Sequence, residues 1–368
     1  MNRDFAFDVK EASGALGDLG TLLPLMIAAV ALGGLSPMPV LLGFAAFYVF
    51  TAFAYRLPVP VQPMKALVAV MLITQVPPAA VALAGVVIGA VLLVLGATGW
   101  IDRLLRLVPQ SVISGLQLGL GILLGLVALR MMAEAPVMGV LALALLLALI
   151  RAGLPAALIF VVLAVPSGLL LGLPGVEMAA PSEASGEGIV AVALGGLALP
   201  QLSLTLTNAI LLTAIVMQDS FGERAAGVTP RKLAVTSGIA NLCLAPLGAL
   251  PMCHGAGGAA AHRKFGARTG GAPLMIGLAL GALALAPGGF AVLALIPGVA
   301  LAALLLVASA DLAFSKRLFD AVPSCRPVIA VTALGVVFWN PLAALILGTI
   351  AEMIRKAIVR RIFAGHRA

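Results

Sequence analysis

Two stretches decide the fold: Leu57–Ala66 reads LPVPVQPMKA, and Leu250–Ala259 reads LPMCHGAGGA. In the first, Pro58 and Pro60 favour extended backbone. Pro63 suits the first turn of a helix, because its missing N–H would have no helical partner there. In the second, glycines allow the backbone to approach a ligand closely. Each stretch therefore predicts an extended segment that leads into a short helix.

The composition around these stretches is that of a membrane protein. The chain has 368 residues, of which 62% are hydrophobic and 10% charged, and its mean hydropathy is +1.19. A soluble domain averages about 45–50% apolar and about 25% charged residues. This composition excludes a soluble fold, so the lipid bilayer is the expected surroundings. Met1–Lys10 is charged and has no apolar core, so we expect no cleavable signal peptide.

Cysteine and charge exclude two further classes. The three cysteines are scattered and show no metal-ligand spacing, so we expect no disulfide framework, no metal and no cofactor. The net charge of +8 is better explained by basic cytoplasmic loops than by nucleic acid binding.

Apolar runs, broken by proline, glycine and charge, predict an all-α polytopic membrane protein with about fourteen transmembrane segments. A span needs about 20 apolar residues, and the third and tenth segments are too short. We interpret these two as half-helices. The segments are 12–33, 38–55, 63–75, 79–98, 108–129, 136–150, 154–173, 189–217, 232–249, 254–264, 272–287, 289–310, 327–339 and 341–358.

The distribution of charge predicts the orientation. The linker 176–188 contains Glu177, Glu183 and Glu187 and no Lys or Arg, so we place it outside. Both termini and most basic loops then fall in the cytoplasm, and Arg130 is the clear exception.

An internal repeat relates residues 1–175 to residues 189–368. The two quoted stretches are offset by 193 residues, and three other proline-containing strings match at offsets of 188, 191 and 186. Seven segments per half is an odd number, so the second half must be inverted. Paired, interrupted short segments in inverted repeats indicate a binding site near the membrane midplane.

The two short segments suggest an anion site. Each helix would start deep in the membrane and point its free N–H groups, with about half a positive charge, at the midplane. Lys65 would raise the total to about two positive charges, which suits a divalent oxyanion. Alternatively, Lys65 extends to the membrane interface, His254 only packs, and Cys253 is only a small buried side chain.

Segments one and eight carry further polar residues. Asp18 is an intramembrane carboxylate, which indicates a coupling or structural role unless it caps a helix or pairs with Lys65. Gln201, Thr205 and Asn208 share one helical face and could donate hydrogen bonds to an oxyanion. Bonds between membrane helices would explain the same residues.

Four strings resemble the molybdate transporter family, a branch of the sulfate-permease superfamily. They are GDLGTLLPL (17–25), PVQPMKA (60–66), LPQLSLTLTNA (199–209) and PMCHGAGGAAAHRKFGARTG (251–270). The resemblance implies a seven-plus-seven inverted-repeat fold with core and gate domains, and it implies molybdate uptake. Unlike most sulfate permeases, the chain ends shortly after the last span, which fits the molybdate branch. By the resemblance, substrate lies near Gln62, Lys65, Gln201, Thr205, Asn208, His254 and Gly255.

We therefore expect a secondary active, proton-coupled importer of molybdate in a bacterial inner membrane, and a homodimer that forms through the gate domains. The alternatives are a sulfate or other dianion transporter of the same fold, and a passive anion channel. A nucleobase permease would be expected to place a carboxylate in segment eight, where this chain has Gln201 and Asn208. An intramembrane enzyme using Cys253 and His254 would lack a partner carboxylate or metal set nearby.

Overall fold

The computed structural model describes residues 4–74, 76–104, 109–154, 156–175, 186–287 and 295–365. In the first half the elements are α1 (Val9–Ala31), α2 (Pro37–Tyr55), β1 (Gln62–Pro63), α3 (Lys65–Thr74), α4 (Pro78–Thr98), α5 (Ile101–Leu104), α6 (Gln110–Ala133), α7 (Pro136–Arg151) and α8 (Ala156–Leu171). In the second half they are α9 (Gly186–Ala191), α10 (Leu199–Leu204), α11 (Thr213–Phe221), α12 (Pro230–Leu244), β2 (Met252–Cys253), α13 (Ala256–Phe265), α14 (Gly271–Leu285), α15 (Gly298–Ala313), α16 (Lys316–Phe319), α17 (Arg326–Phe338) and α18 (Pro341–Gly365).

Each predicted segment coincides with helical structure where the chain is described, which confirms the all-α class. The linker residues 176–185 and the start of segment twelve, 289–294, lie outside the described residues. By length and composition, four helices in the described ranges could each cross a membrane, or five if the bent α1 counts as one span. Large apolar side chains such as Leu170 and Phe338 are exposed, as expected for a surface covered by lipid.

Segment eight is one helical run whose hydrogen bonding alternates. Two stretches, Val192–Ala198 and Thr205–Leu212, have the wider π-helical pattern, on either side of α10. Such π-bulges occur often at functional sites. The sequence did not predict them, and the second contains Thr205 and Asn208.

Helix α1 bends by 46° between Leu19 and Thr21. Pro24 lies inside this helix, and proline removes the hydrogen bond to the carbonyl four residues earlier and clashes with it. That carbonyl belongs to Gly20, which is where the bend occurs. The bend places Asp18 at the end of the straight first part of α1.

The two extended stretches pair with each other. Gln62 lies opposite Cys253, and Pro63 lies opposite Met252, in an antiparallel arrangement. The prediction that Pro63 begins a helix was therefore wrong: α3 begins at Lys65. The pairing holds Pro63 in extended backbone, and the N–H of Met64 donates to the carbonyl of Pro251.

The packing around this pair relates the two halves. Helix α2 packs on α14, α4 on α12, and α6 on both α15 and α17. Helix α1 packs on α13, and small residues allow the contact. A Cβ on Gly14 would overlap Ala267, and a Cβ on Gly17 would come within 2.6 Å of the Phe265 ring.

Basic residues at the start of α12 cap two other helices. Arg231 donates to the carbonyls of Gly96 and Ala97 at the end of α4, and Lys232 Nζ donates to the carbonyl of Ala54 in the last turn of α2. Cations at helix C-termini satisfy free carbonyls and complement the helix dipole. These contacts fix the three helices that surround the second extended stretch.

Candidate functional site

A small cavity lies where the two extended stretches meet. Six of the seven residues predicted to bind substrate line it, and Gly255 lies directly behind one of them. The lining residues are Gln62, Pro63, Lys65, Gln117, Gln201, Leu204, Thr205, Asn208, Ala209, Cys253, His254 and Leu312.

Lys65, the first residue of α3, is half-buried in the cavity wall. In the part of the chain that the structure describes, its ammonium group has no hydrogen bond and no carboxylate within 4.0 Å. The alternative interpretation of Asp18, an ion pair with Lys65, is therefore not found among the described residues. An ammonium without a protein partner in a membrane-embedded cavity is available to an anion.

Gln201, which the sequence predicted to bind substrate, lines the cavity and is hydrogen-bonded to α3. Its Oε1 accepts hydrogen bonds from the N–H groups of Ala66 and Leu67, at 2.9 and 3.1 Å, and its Nε2 donates to Thr205 Oγ1. Gln201 therefore caps the N-terminus of α3. In this arrangement both ends of its amide group are hydrogen-bonded within the protein.

Asn241 on α12 holds the second stretch in a comparable way. Its Oδ1 accepts from the N–H of Met252, and its Nδ2 donates to the carbonyl of the same residue. Asn241 is buried, and the sequence did not single it out. One buried amide side chain thus anchors each half of the site.

His254 is held on both sides of its ring. Nδ1 lies 2.9 Å from the carbonyl of Pro60, and Nε2 lies 2.9 Å from Thr236 Oγ1. A carbonyl only accepts, so Nδ1 carries a proton, and Nε2 pairs with the Thr236 hydroxyl. His254 lines the cavity, but both nitrogens are already used.

The first turn of α13 has backbone N–H groups that are unpaired in the described chain. The N–H groups of Ala256, Gly257 and Gly258 form no hydrogen bond with any described residue. Gly255 packs against the Gln62 amide, because a Cβ there would overlap Oε1 and lie 2.6 Å from Cδ. Only glycine fits without displacing Gln62.

Asp18 lies behind Gln62 and is 1% exposed. The Tyr48 hydroxyl lies 2.6 Å from Asp18 Oδ2 and 2.7 Å from the carbonyl of Val61, which share its one proton, and Gln62 Nε2 donates to Asp18 Oδ1 at 2.6 Å. Within the described chain the nearest basic nitrogen is His262 Nε2, 3.7 Å from Oδ2. Asp18 is therefore a buried carboxylate one amide group away from the cavity.

Two residues that the sequence did not single out face the site from other helices. Gln117 on α6 lines the cavity itself. Asp311 on α15 lines a neighbouring cavity together with Thr21 and Lys65. An acid in the apolar run GVALAALLLVASADLA was the available signal for Asp311. Gln117 gave no comparable signal.

The described residues contain no cluster of three or more His, Cys, Asp or Glu that could hold a metal ion. The polar atoms of the site are amides, hydroxyls, backbone N–H groups and one ammonium. Most of these are donors, and donors are what an oxyanion requires.

The fold resembles solved anion transporters. The transmembrane domain of the cyanobacterial bicarbonate transporter BicA superposes with a TM-score of 0.67 at 15% identity, covering 91% of this chain and 96% of that one. Murine Slc26a9, an anion transporter solved in the inward-facing state, gives 0.69 at 13% identity, covering 98% of this chain and 69% of that one.

Sequence comparison gives the family. Residues 10–124 and 193–312 match the family model described as "Molybdate transporter of MFS superfamily". Molybdate transporter 1 of Arabidopsis thaliana is 30% identical over 378 residues, covering 86% of this chain and 81% of that protein. Molybdate transporter 2 of the same plant is 27% identical over 335 residues, covering 73% and 70%. The chain therefore belongs to the molybdate transporter family, and it is an integral membrane protein.

Proposed function

We propose that this protein imports molybdate, a tetrahedral dianion, by proton-coupled alternating access. The observation that carries the proposal is the cavity between the two paired stretches, with the unpartnered ammonium of Lys65 in its wall. Family membership and the likeness to anion transporters support the same substrate class.

The electrostatics of the cavity favour a dianion. An ion pair at 4 Å contributes about 4 kcal/mol per unit of charge at the effective dielectric of a protein surface. Lys65 lines the cavity and supplies one full positive charge. We propose that the N-terminus of α13, which begins two residues after the cavity-lining His254, adds about half of another. A monovalent anion would gain only about half of this attraction.

Neutral groups complete the proposed shell. Thr205 and Asn208 lie in the second π-helical stretch and line the cavity, and Gln117 faces them from α6. Hydroxyl and amide donors can bind oxyanion oxygens without adding charge. We propose that Lys65, Thr205 and Asn208 contact the anion, while Gln62, Gln201, His254 and Gly255 shape the cavity, because the Nε2 of Gln62 is already bonded to Asp18.

The packing supports the proposed fold of two inverted seven-segment repeats, 1–175 and 189–368. In such a repeat, segment two (α2) is equivalent to segment nine (α12), and segment four (α4) is equivalent to segment eleven (α14). The contact between α2 and α14 should therefore have an equivalent between α12 and α4, and both contacts are extensive. We assign α1–α4 and α9–α14 to a core domain and the remaining helices to a gate domain. Cytoplasmic termini, a bacterial inner membrane and a homodimer remain predictions.

Three alternatives remain for the same fold: a sulfate transporter, a transporter of another dianion and a passive anion channel. Dianions differ here in size and basicity, which the cavity lining does not distinguish. The enzyme alternative built on Cys253 and His254 is excluded, because the family consists of transporters.

Uptake by purified protein in liposomes tests the proposal. We expect saturable uptake of labelled molybdate, inhibited by tungstate more than by sulfate, and concentrative when the outside is acidic. Stronger inhibition by sulfate would identify the sulfate alternative. Uptake that only equilibrates would identify a channel, and no saturable uptake of molybdate would refute the proposal.

A further inference from the structure

A second buried polar site lies behind the anion cavity, between α1 and α13. His262 is fully buried, and its Nδ1 lies 2.8 Å from the carbonyl of Gly14. A carbonyl only accepts, so Nδ1 carries a proton and Nε2 of the neutral ring is an acceptor. Nε2 has no hydrogen-bond partner among the described residues and lies 3.7 Å from Asp18 Oδ2.

With a neutral ring, His262 Nε2 and Asp18 Oδ2 are both acceptors, so no hydrogen bond can form between them. Two acceptors repel each other at this distance, whereas one proton on Nε2 would let the ring donate to Asp18. Buried polar groups nearly always have partners, and one without a partner requires an explanation. The missing partner here is a proton.

The other buried histidine shows the contrast. Both nitrogens of His254 are paired, with Pro60 and Thr236. The Thr236 hydroxyl can donate to the carbonyl of Leu233 as well as to Nε2, so His254 keeps both partners whether or not Nε2 is protonated. Protonation therefore gives His262 a partner that it lacks, whereas it changes nothing in the pairing of His254.

Among the described residues, the other titratable groups near Asp18 and His262 are neither hydrogen-bonded nor ion-paired to the His262 ring. Arg263 packs over the Phe221 ring at the end of α13, and Glu11 accepts from the N–H groups of Arg268 and Thr269. Helices α8 and α14, which also pack on α1, contain no titratable residue. The remaining groups on elements packed against α1 or α13 are Tyr48, Tyr55, Lys65, Asp311 and Asp219. Tyr48 contacts Asp18 and Val61, Tyr55 contacts Thr236, Lys65 and Asp311 face each other across the neighbouring cavity, and Asp219 is exposed.

We propose that Asp18 and His262 together bind the one proton that is transported with each anion. This inference rests on the proposed function and specifies where its coupling ion sits. Without the proton the pair carries one net negative charge, and with the proton on Nε2 it carries none. Gln62 contacts Asp18 and also lines the cavity, so the charge lies one amide group from the anion.

Coupling follows from this proximity. The negative charge on the empty pair repels an incoming dianion, and the proton removes that repulsion. By reciprocity, a bound dianion strengthens proton binding by the same factor. Anion and proton therefore bind together and leave together, as symport requires.

The pH dependence of molybdate binding tests the pair. With purified protein, in a pH range where molybdate is fully deprotonated, we expect the wild-type Kd to rise about tenfold per pH unit once the pair deprotonates. His262→Gln and Asp18→Asn should reduce that change to less than twofold. His254→Gln is the matched control: it should keep the steep dependence whatever its affinity.

Two transport measurements complete the test. Variants of the pair should lose molybdate accumulation driven by an acidic exterior, because they no longer bind a proton with the anion. His262→Gln should retain exchange of internal for external molybdate, which moves no net proton. A steep pH dependence or gradient-driven accumulation that survives in both variants would overturn the inference.

A measurement on the unmodified protein covers the case in which the variants do not fold. The chain has three histidines, His254, His262 and His366, so ¹⁵N-histidine spectra are assignable with His254→Gln. Adding molybdate should convert His262 from the neutral to the doubly protonated pattern. A His262 ring that stays neutral with molybdate bound refutes the proton site alone, whereas failure of the wild type to bind molybdate refutes the proposed function.

Discussion

The two broken stretches have the same shape and different chemistry. The first, 57–65, supplies side chains to the cavity, and its helix N-terminus is capped by Gln201. The second, 250–258, has no charged side chain, and its backbone N–H groups at Ala256–Gly258 are open. Asn241 fixes the second stretch earlier, at Met252. We propose that the two stretches share a scaffold and differ in what they offer an anion: the first a charged side chain, the second backbone N–H groups.

Removing the charge from the first stretch should have the largest effect. Lys65→Ala removes the only full positive charge that lines the cavity in the described chain. Hydrogen bonds to charged groups are worth about 1.5–3 kcal/mol, so we expect molybdate binding to weaken about 100-fold. Calorimetric titration of the purified variant measures the change.

The control for Lys65→Ala is Lys264→Ala, at the exposed end of α13. It removes the same side chain far from the cavity wall and should leave the Kd within about twofold. Equal Kd values for the two variants would remove Lys65 from the site.

Substitutions at Gln201 should separate capping from anion binding. Gln201→Leu leaves the N–H groups of Ala66 and Leu67 without an acceptor, at about 1–3 kcal/mol for each buried group. Gln201→Glu keeps an acceptor at a helix N-terminus, where negative charge is favourable. We expect the leucine variant to unfold at a clearly lower temperature and the glutamate variant to unfold near the wild-type temperature.

The same glutamate should repel the anion. We expect Gln201→Glu to bind molybdate about 30-fold more weakly, because its charge faces the dianion within one cavity. Thermal unfolding and calorimetric titration of the two variants give the comparison. A stable glutamate variant with unchanged affinity would contradict the placement of the anion beside α3.

Neighbouring glycines should give the smallest effect and test the second stretch. Gly255→Ala places a Cβ against the Gln62 amide, whereas a Cβ on Gly257 meets open space. The backbone φ of Gly255 is −150°, which any residue adopts, so the clash is the whole effect. Overpacking costs about 1–3 kcal/mol, so we expect Gly255→Ala to bind molybdate about tenfold more weakly. Gly257→Ala should bind with almost unchanged affinity. Equal affinities would show that Gln62 can move without consequence.

The sequence predicted the fold well, because lipid imposes strong rules on it. Apolar runs gave helices at the observed positions, and the two proline- and glycine-rich stretches gave the breaks. Six predicted site residues line one cavity, as expected if the two halves form the proposed inverted repeat. Gln62, Lys65 and Thr205 are examples.

The details that the sequence did not predict depend on contacts between distant residues. Gln201 is 135 residues away from Ala66 in the sequence and accepts its N–H. Asn241 bonds to Met252 across a turn, and the sequence does not specify the geometry of that turn. The extended backbone at Pro63 depends on its partner strand, whereas local propensity favoured a helix start. His262 lay in the quoted family string, but only the fold places it beside Asp18.

The close packing of α1 on α13 has a mechanical consequence. Gly14 and Gly17 leave no free space against Ala267 and Phe265, and Glu11 bonds the start of α1 to the loop after α13. We therefore expect α1 and α13 to move together as one rigid unit. In the proposed alternating-access mechanism, a movement of the core domain past α6 and α15 would carry the cavity together with Asp18 and His262. The anion and the proton would then cross the membrane in the same conformational change.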